Sequence, residues 1–128
     1  DYDLKNRFTS SSFLQECDFK NTNIMVVLSK MLYKNNCVIK SGYFPDTAAD
    51  VNEEFAFVSI DVDLFKPTYN ALEFFYPKLN DGGYIFLHDY NNREFFGIKK
   101  AVKDFEKNYG RLKKFPISDW GGTLVINK

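Results

Sequence analysis

Phe55-Ala56-Phe57-Val58-Ser59-Ile60-Asp61-Val62-Asp63 is the stretch on which the fold class turns. Its first six residues form a near-continuous apolar run of strand length, which suits a strand covered on both faces within a parallel sheet. The run stops at acids. Beyond it, Thr68, Ala71, Leu72, Phe75 and Leu79 line one helical face, and Pro67 favours the first turn of that helix. Asn80-Asp81-Gly82-Gly83 reads as a turn. Tyr84-Ile85-Phe86-Leu87 is a second apolar strand, ending in His88-Asp89. A further helix directs Phe95, Ile98, Ala101, Val102, Phe105 and Tyr109 inward, and Gly110 is placed to end it. Leu112 to Pro116 and Gly122 to Ile126 read as a terminal antiparallel pair joined by Ser118-Asp119-Trp120-Gly121, with Trp120 taken as a packing residue. Strands alternating with helices indicate an α/β layered sheet.

Upstream of this segment the pattern weakens. From Asn23 to Tyr33, Ile24, Val27, Leu28, Met31 and Leu32 have the spacing of a helix with one buried face. Cys37-Val38-Ile39-Lys40 reads as a short strand stopped by Gly42, and Asp46 to Asn52 as one or two helical turns capped by Asp46. Thr9-Ser10-Ser11-Ser12 before Phe13-Leu14 can cap a short helix, and Asp1 to Arg7 reads as a polar lead-in.

Open parallel sheets bind ligands beyond the carboxyl ends of their strands. Asp61 with Asp63 ends one strand and His88 with Asp89 ends the next, twenty-seven positions after Asp61. A crossover of one helix and one turn makes these strands neighbours, so their tips converge on one rim. Carboxylates and an imidazole gathered there suit a divalent cation. Acids at strand ends also cap helices, and Asp63 is the member best suited to that bland role. His88 is the one histidine of the chain, and a lone histidine often serves only as a hydrogen-bonded structural residue.

Several blocks together resemble the macrocin O-methyltransferase (TylF/MycF-like) family. They are Gly42-Tyr43-Phe44-Pro45-Asp46-Thr47; Ile60-Asp61-Val62-Asp63-Leu64-Phe65 with Thr68, Ala71-Leu72 and Tyr76-Pro77-Lys78-Leu79; Gly82-Gly83-Tyr84-Ile85; His88-Asp89-Tyr90; and Gly97-Ile98-Lys99-Lys100-Ala101-Val102. The resemblance runs from about Cys37 onward, with the blocks in family order and spacing. It implies a Rossmann-like class I methyltransferase fold, a mostly parallel sheet with a C-terminal antiparallel hairpin. It also implies S-adenosylmethionine as donor, a sugar hydroxyl as acceptor, and magnesium held by three acids. The first acid falls on Asp61, and the adjacent acid pair falls on His88 and Asp89. Histidine therefore replaces one acid. Magnesium prefers oxygen ligands, which leaves manganese, weak metal binding, or His88 acting as a base. By the same resemblance Gly42, Tyr43 and Phe44 lie beside the cofactor's adenine, with core packing the alternative for either ring.

The resemblance also implies a Gly-rich loop after the first strand and an acid ending the second. Neither occurs in the 128 residues, so the expectation is a single, incomplete domain over 1–128 whose N-terminal strands are missing.

Composition excludes several other classes. Seventeen basic and seventeen acidic residues cancel, which gives no general field for nucleic acid or an anionic membrane. Of the residues, 18% are aromatic, too many for all to stay wet, so many must be core. Cys17 and Cys37 form no CxxC pair and are read as reduced thiols of a cytoplasmic protein. No apolar run approaches membrane-spanning length. The leading expectation is a metal-assisted sugar O-methyltransferase, with Asp61 and His88 catalytic, Asp61, His88 and Asp89 on the metal, and a homo-oligomer possible. The rivals are another metal-dependent α/β enzyme and a degenerate methyltransferase-like binding or assembly module.

Overall fold

The computed structural model describes residues 23–128. Strand β1, Phe55–Ile60, coincides with the apolar run. Helix α2 spans Phe65–Phe75, with Pro67 at its third position, where the amide has no intrahelical acceptor in any case. Strand β2 spans Leu79–Leu87 and helix α3 Phe96–Tyr109, with Gly110 as its C-cap at φ 88°. Strands β3, Lys113–Pro116, and β4, Leu124–Asn127, form the hairpin. Before these comes helix α1, Ile24–Ser29.

The sheet has the order β1-β2-β4-β3. β1 and β2 run parallel, while β4 is antiparallel to both β2 and β3. Over the described residues the sheet is therefore mixed, not mostly parallel. The expected turn at Asn80–Gly83 is absorbed into β2. Register passes from Phe55 opposite Leu79 to Phe57 opposite Tyr84, so the extra residues bulge out of the ladder.

Burial alternates along the strands. Val58 and Ile60 of β1, Ile85 and Leu87 of β2, and Leu124 and Ile126 of β4 join one core with Leu72, Ile98, Val102 and Phe105 of the helices. On the opposite face Phe57 and Tyr84 are exposed, so the described elements cover one side of the sheet where coverage of both was expected. Phe105 is completely buried and anchors α3 to α2 through edge contacts with Tyr69 and Tyr76. Tyr109 was expected inside and is half exposed. It lies at the helix end, where it stacks on Phe105 at 4.4 Å and donates a hydrogen bond to Glu73. The buried Thr68 hydroxyl donates to the Leu64 carbonyl at 2.7 Å, which meets its hydrogen-bonding need locally.

The upstream segment departs most from expectation. α1 starts where predicted, with the Asn23 side chain accepting from the Val26 amide, but stops at Ser29 and buries no residue. Leu32, expected on its inner face, is exposed. A helix this short has little stability without a packing partner. Cys37–Lys40 forms no strand; no described segment pairs with it, and Val38 is exposed. Asp46–Ala48 is a single 3-10 turn capped by Pro45, with Asp46 inside the turn instead of at its cap. Cys37 is a free, exposed thiol. The expectations for Asp1–Arg7, the Thr9–Leu14 helix and Cys17 lie outside the described residues. No helix among the described residues is long and apolar enough to cross a membrane.

Candidate active site at the strand tips

The parallel pairing of β1 and β2 extends one residue past Leu87. The His88 amide donates to the Ile60 carbonyl at 2.9 Å, which clamps the two strand tips together. The residues that follow then meet. His88 Nδ1 lies 2.8 Å from Asp89 Oδ2 and 3.2 Å from Asp61 Oδ1. Asp61 is the open member of the group, whereas Asp89 is buried. Asp89 takes a left-handed backbone at φ 54°, and its second oxygen accepts from Asn92 Nδ2 at 3.0 Å. Both Asp89 oxygens are thus held.

The electrostatics follow from this packing. Burial pulls the His88 imidazolium pKa down, but the hydrogen bond and charge of Asp89, with the charges of Asp61 and Asp119, outweigh it, and the net displacement is upward. Asp63 is pushed up, first by burial and then by repulsion from Asp61 and Asp89. It does not cap α2, whose N-cap is Leu64 with no side-chain bond. It is instead a third acid beside the cluster, in a left-handed conformation at φ 58°.

The donor set suits a divalent cation. One ligand atom each from Asp61, His88 and Asp89 lies within 4.8 Å of the others. Neighbouring ligands about 2.1 Å from an octahedral ion sit roughly 3 Å apart, and the two histidine–carboxylate separations of 2.8 and 3.2 Å bracket that value. Two carboxylates and an imidazole favour manganese-like ions over magnesium.

One part of the site escaped the sequence reading. The turn between β3 and β4 closes over His88. A Cβ on Gly121 would fall 2.0 Å from His88 Nε2, so only glycine permits this approach. The Gly122 carbonyl accepts from the Asn91 amide at 3.0 Å, which ties the turn to the segment after β2. Asp119 accepts from both the amide and the hydroxyl of Thr123, at 2.8 and 2.6 Å. The Gly121-Gly122 pair was the available signal. Trp120, expected to pack, is fully exposed.

Gly42, Tyr43 and Phe44 lie elsewhere. Phe44 stacks on Phe75, which in turn meets Phe55, the first residue of β1. That is the strand end opposite Asp61, about 17 Å away along a strand of this length. Phe44 is packed against the core, and Tyr43 is exposed. The structure does not bring these three residues to the Asp61–His88–Asp89 cluster.

The family model for macrocin-O-methyltransferase (TylF) matches residues 29–124. The chain belongs to this family. A curated relative from Streptomyces olivaceus, 8-demethyl-8-(2,3-dimethoxy-alpha-L-rhamnosyl)-tetracenomycin-C 4'-O-methyltransferase, is 34% identical over 86 residues, covering 66% of this chain and 31% of its own length. Among solved structures, the O-methyltransferase NovP superposes with a TM-score of 0.52 at 24% identity, over 59% of this chain and 30% of that one. That likeness supports the α/β fold. The chain spans about a third of the length of these relatives.

Proposed function

We propose that this chain carries the acceptor-activating site of an S-adenosylmethionine-dependent O-methyltransferase that acts on a sugar hydroxyl. Family membership supports the reaction class, and the rhamnosyl acceptor in the relative's name supports the substrate class. The observation that carries the reading is the convergence of Asp61, His88 and Asp89 at two clamped strand tips.

In such a transfer the hydroxyl oxygen bonds to the sulfonium methyl, the carbon–sulfur bond breaks, and the hydroxyl proton must leave. The methyl is already activated, so the protein's task is placement and proton removal. Asp61, open to solvent, receives the acceptor hydroxyl as a hydrogen-bond acceptor. Neutral His88 carries its proton on Nδ1, where it donates to Asp89, so Nε2 is the nitrogen that takes the hydroxyl proton; Asp89, fixed by Asn92, orients the ring and stabilises its charged form. Asp61, His88 and Asp89 would also hold a divalent cation, which when bound lowers the hydroxyl pKa and fixes the sugar. A cation on Nδ1 would move the ring proton to Nε2 and end its use as a base, so metal dependence separates ligand from base.

The test is methyl transfer from labelled S-adenosylmethionine to rhamnosides by the full-length protein, with and without manganese or magnesium. Asp61→Asn and His88→Ala should each lose about a hundredfold or more in kcat. Full activity in both variants would overturn the site. A wild type that binds no S-adenosylmethionine would favour the degenerate binding module.

A further inference from the structure

Tryptophan is large and apolar, and it is seldom left wholly in solvent. Trp120 has a relative exposure of 104%. It does not sit on a loose loop. The turn that carries it is held by Asp119 through two hydrogen bonds to Thr123, and by the Asn91 amide on the Gly122 carbonyl. The next residue, Gly121, lies against the His88 imidazole. Consecutive Cα atoms are about 3.8 Å apart, so the indole is rooted within one residue of the chemistry.

We propose that Trp120 is the acceptor-binding residue of the site, offering its ring face to the C–H-rich face of the pyranose whose hydroxyl reaches Asp61 and His88. The inference rests on the sugar O-methyltransferase reading. An indole supplies a rigid apolar platform with a polar tip, a combination used where one face of a ligand is apolar and its rim is hydroxylated. The clamped turn means that little conformational freedom is lost when the sugar docks. The glycine at 121 follows from the same arrangement, since it lets the turn come close enough for a sugar to span from the indole to the carboxylates.

Trp120 is the one tryptophan of these 128 residues, so an emission change of the full-length protein that Trp120→Phe abolishes reports on this ring. Titration of the full-length protein with methyl α-L-rhamnopyranoside should give a saturable change in emission. By calorimetry, Trp120→Ala should weaken the glycoside about tenfold and Trp120→Phe only about threefold. S-adenosylmethionine affinity and melting temperature should be unchanged in both, as suits an exposed side chain. In turnover, Trp120→Ala should raise acceptor KM and leave kcat nearly intact. No emission change, or equal glycoside affinity in wild type and Trp120→Ala, overturns the inference. Glycoside binding that depends on Trp120 in a protein that transfers no methyl group overturns the methyltransferase reading and leaves the sugar platform standing.

Discussion

At the scale of single residues, the site is a histidine placed between two carboxylates, one open and one buried. The neighbours of His88 favour its charged form, so in metal-free protein its NMR titration midpoint should lie above the ordinary value of about 6.5. Asp89→Asn removes the main opposing charge and should bring that midpoint down. The linkage has a definite sign. A raised folded-state pKa contributes stability that is fully present below about pH 6.5 and lost as pH rises through the folded value. Asp89→Asn should flatten this part of the stability profile in chemical denaturation. A midpoint that does not respond to Asp89→Asn would mean that the short contact to Asp89 has little electrostatic weight in solution.

At the scale of elements, two junctions hold the layers together. Phe105 joins α3 to α2 and to the core, and Phe105→Ala should cost about 3–5 kcal/mol in denaturant unfolding through the cavity it leaves. Glu106, on the same helix, receives the Leu112 amide at 3.0 Å and pairs with Lys114, which fastens α3 to the start of the hairpin. Burial pushes its carboxyl up, but the Lys114 and Leu112 bonds more than offset this, and the net shift is downward. Its contribution is therefore present above the ordinary carboxyl value and lost as pH falls through the folded one. Glu106→Gln should destabilise by about 1–3 kcal/mol at neutral pH, with the difference from wild type shrinking in acid. At this scale the sequence was a good guide. α2 and α3 were legible because each repeats its burial at a helical period, and β1 because its apolar run has strand length and stops at acids. Cys37–Lys40 was misread because an apolar tetrapeptide does not reveal whether a partner strand stands beside it.

At the scale of the molecule, α2, α3 and four strands of the described residues build a core on one side of a mixed sheet, and the reactive groups gather at its edge. A cation held by Asp61, His88 and Asp89 would bind the folded state alone. At about a hundred times its dissociation constant it should then stabilise by roughly 2.7 kcal/mol. Manganese should raise the melting temperature more than magnesium, and Asp61→Ala should abolish the difference. Equal responses to the two ions would leave His88 as the base and not a ligand.

The order of β1, α2, β2, α3 and the final hairpin could be read from the chain by itself, because short apolar runs mark the strands and apolar residues at every third to fourth position mark the helices. The acids at the strand ends were visible for the same reason, as the points where those runs stop. Folding alone decided that β4 lies between β2 and β3, that Asp61 and Asp89 close on one imidazole, that Gly121 rests on His88, and that Trp120 faces solvent. These relations join residues far apart in the chain. They depend on how side chains fill space between elements, and no local period records that.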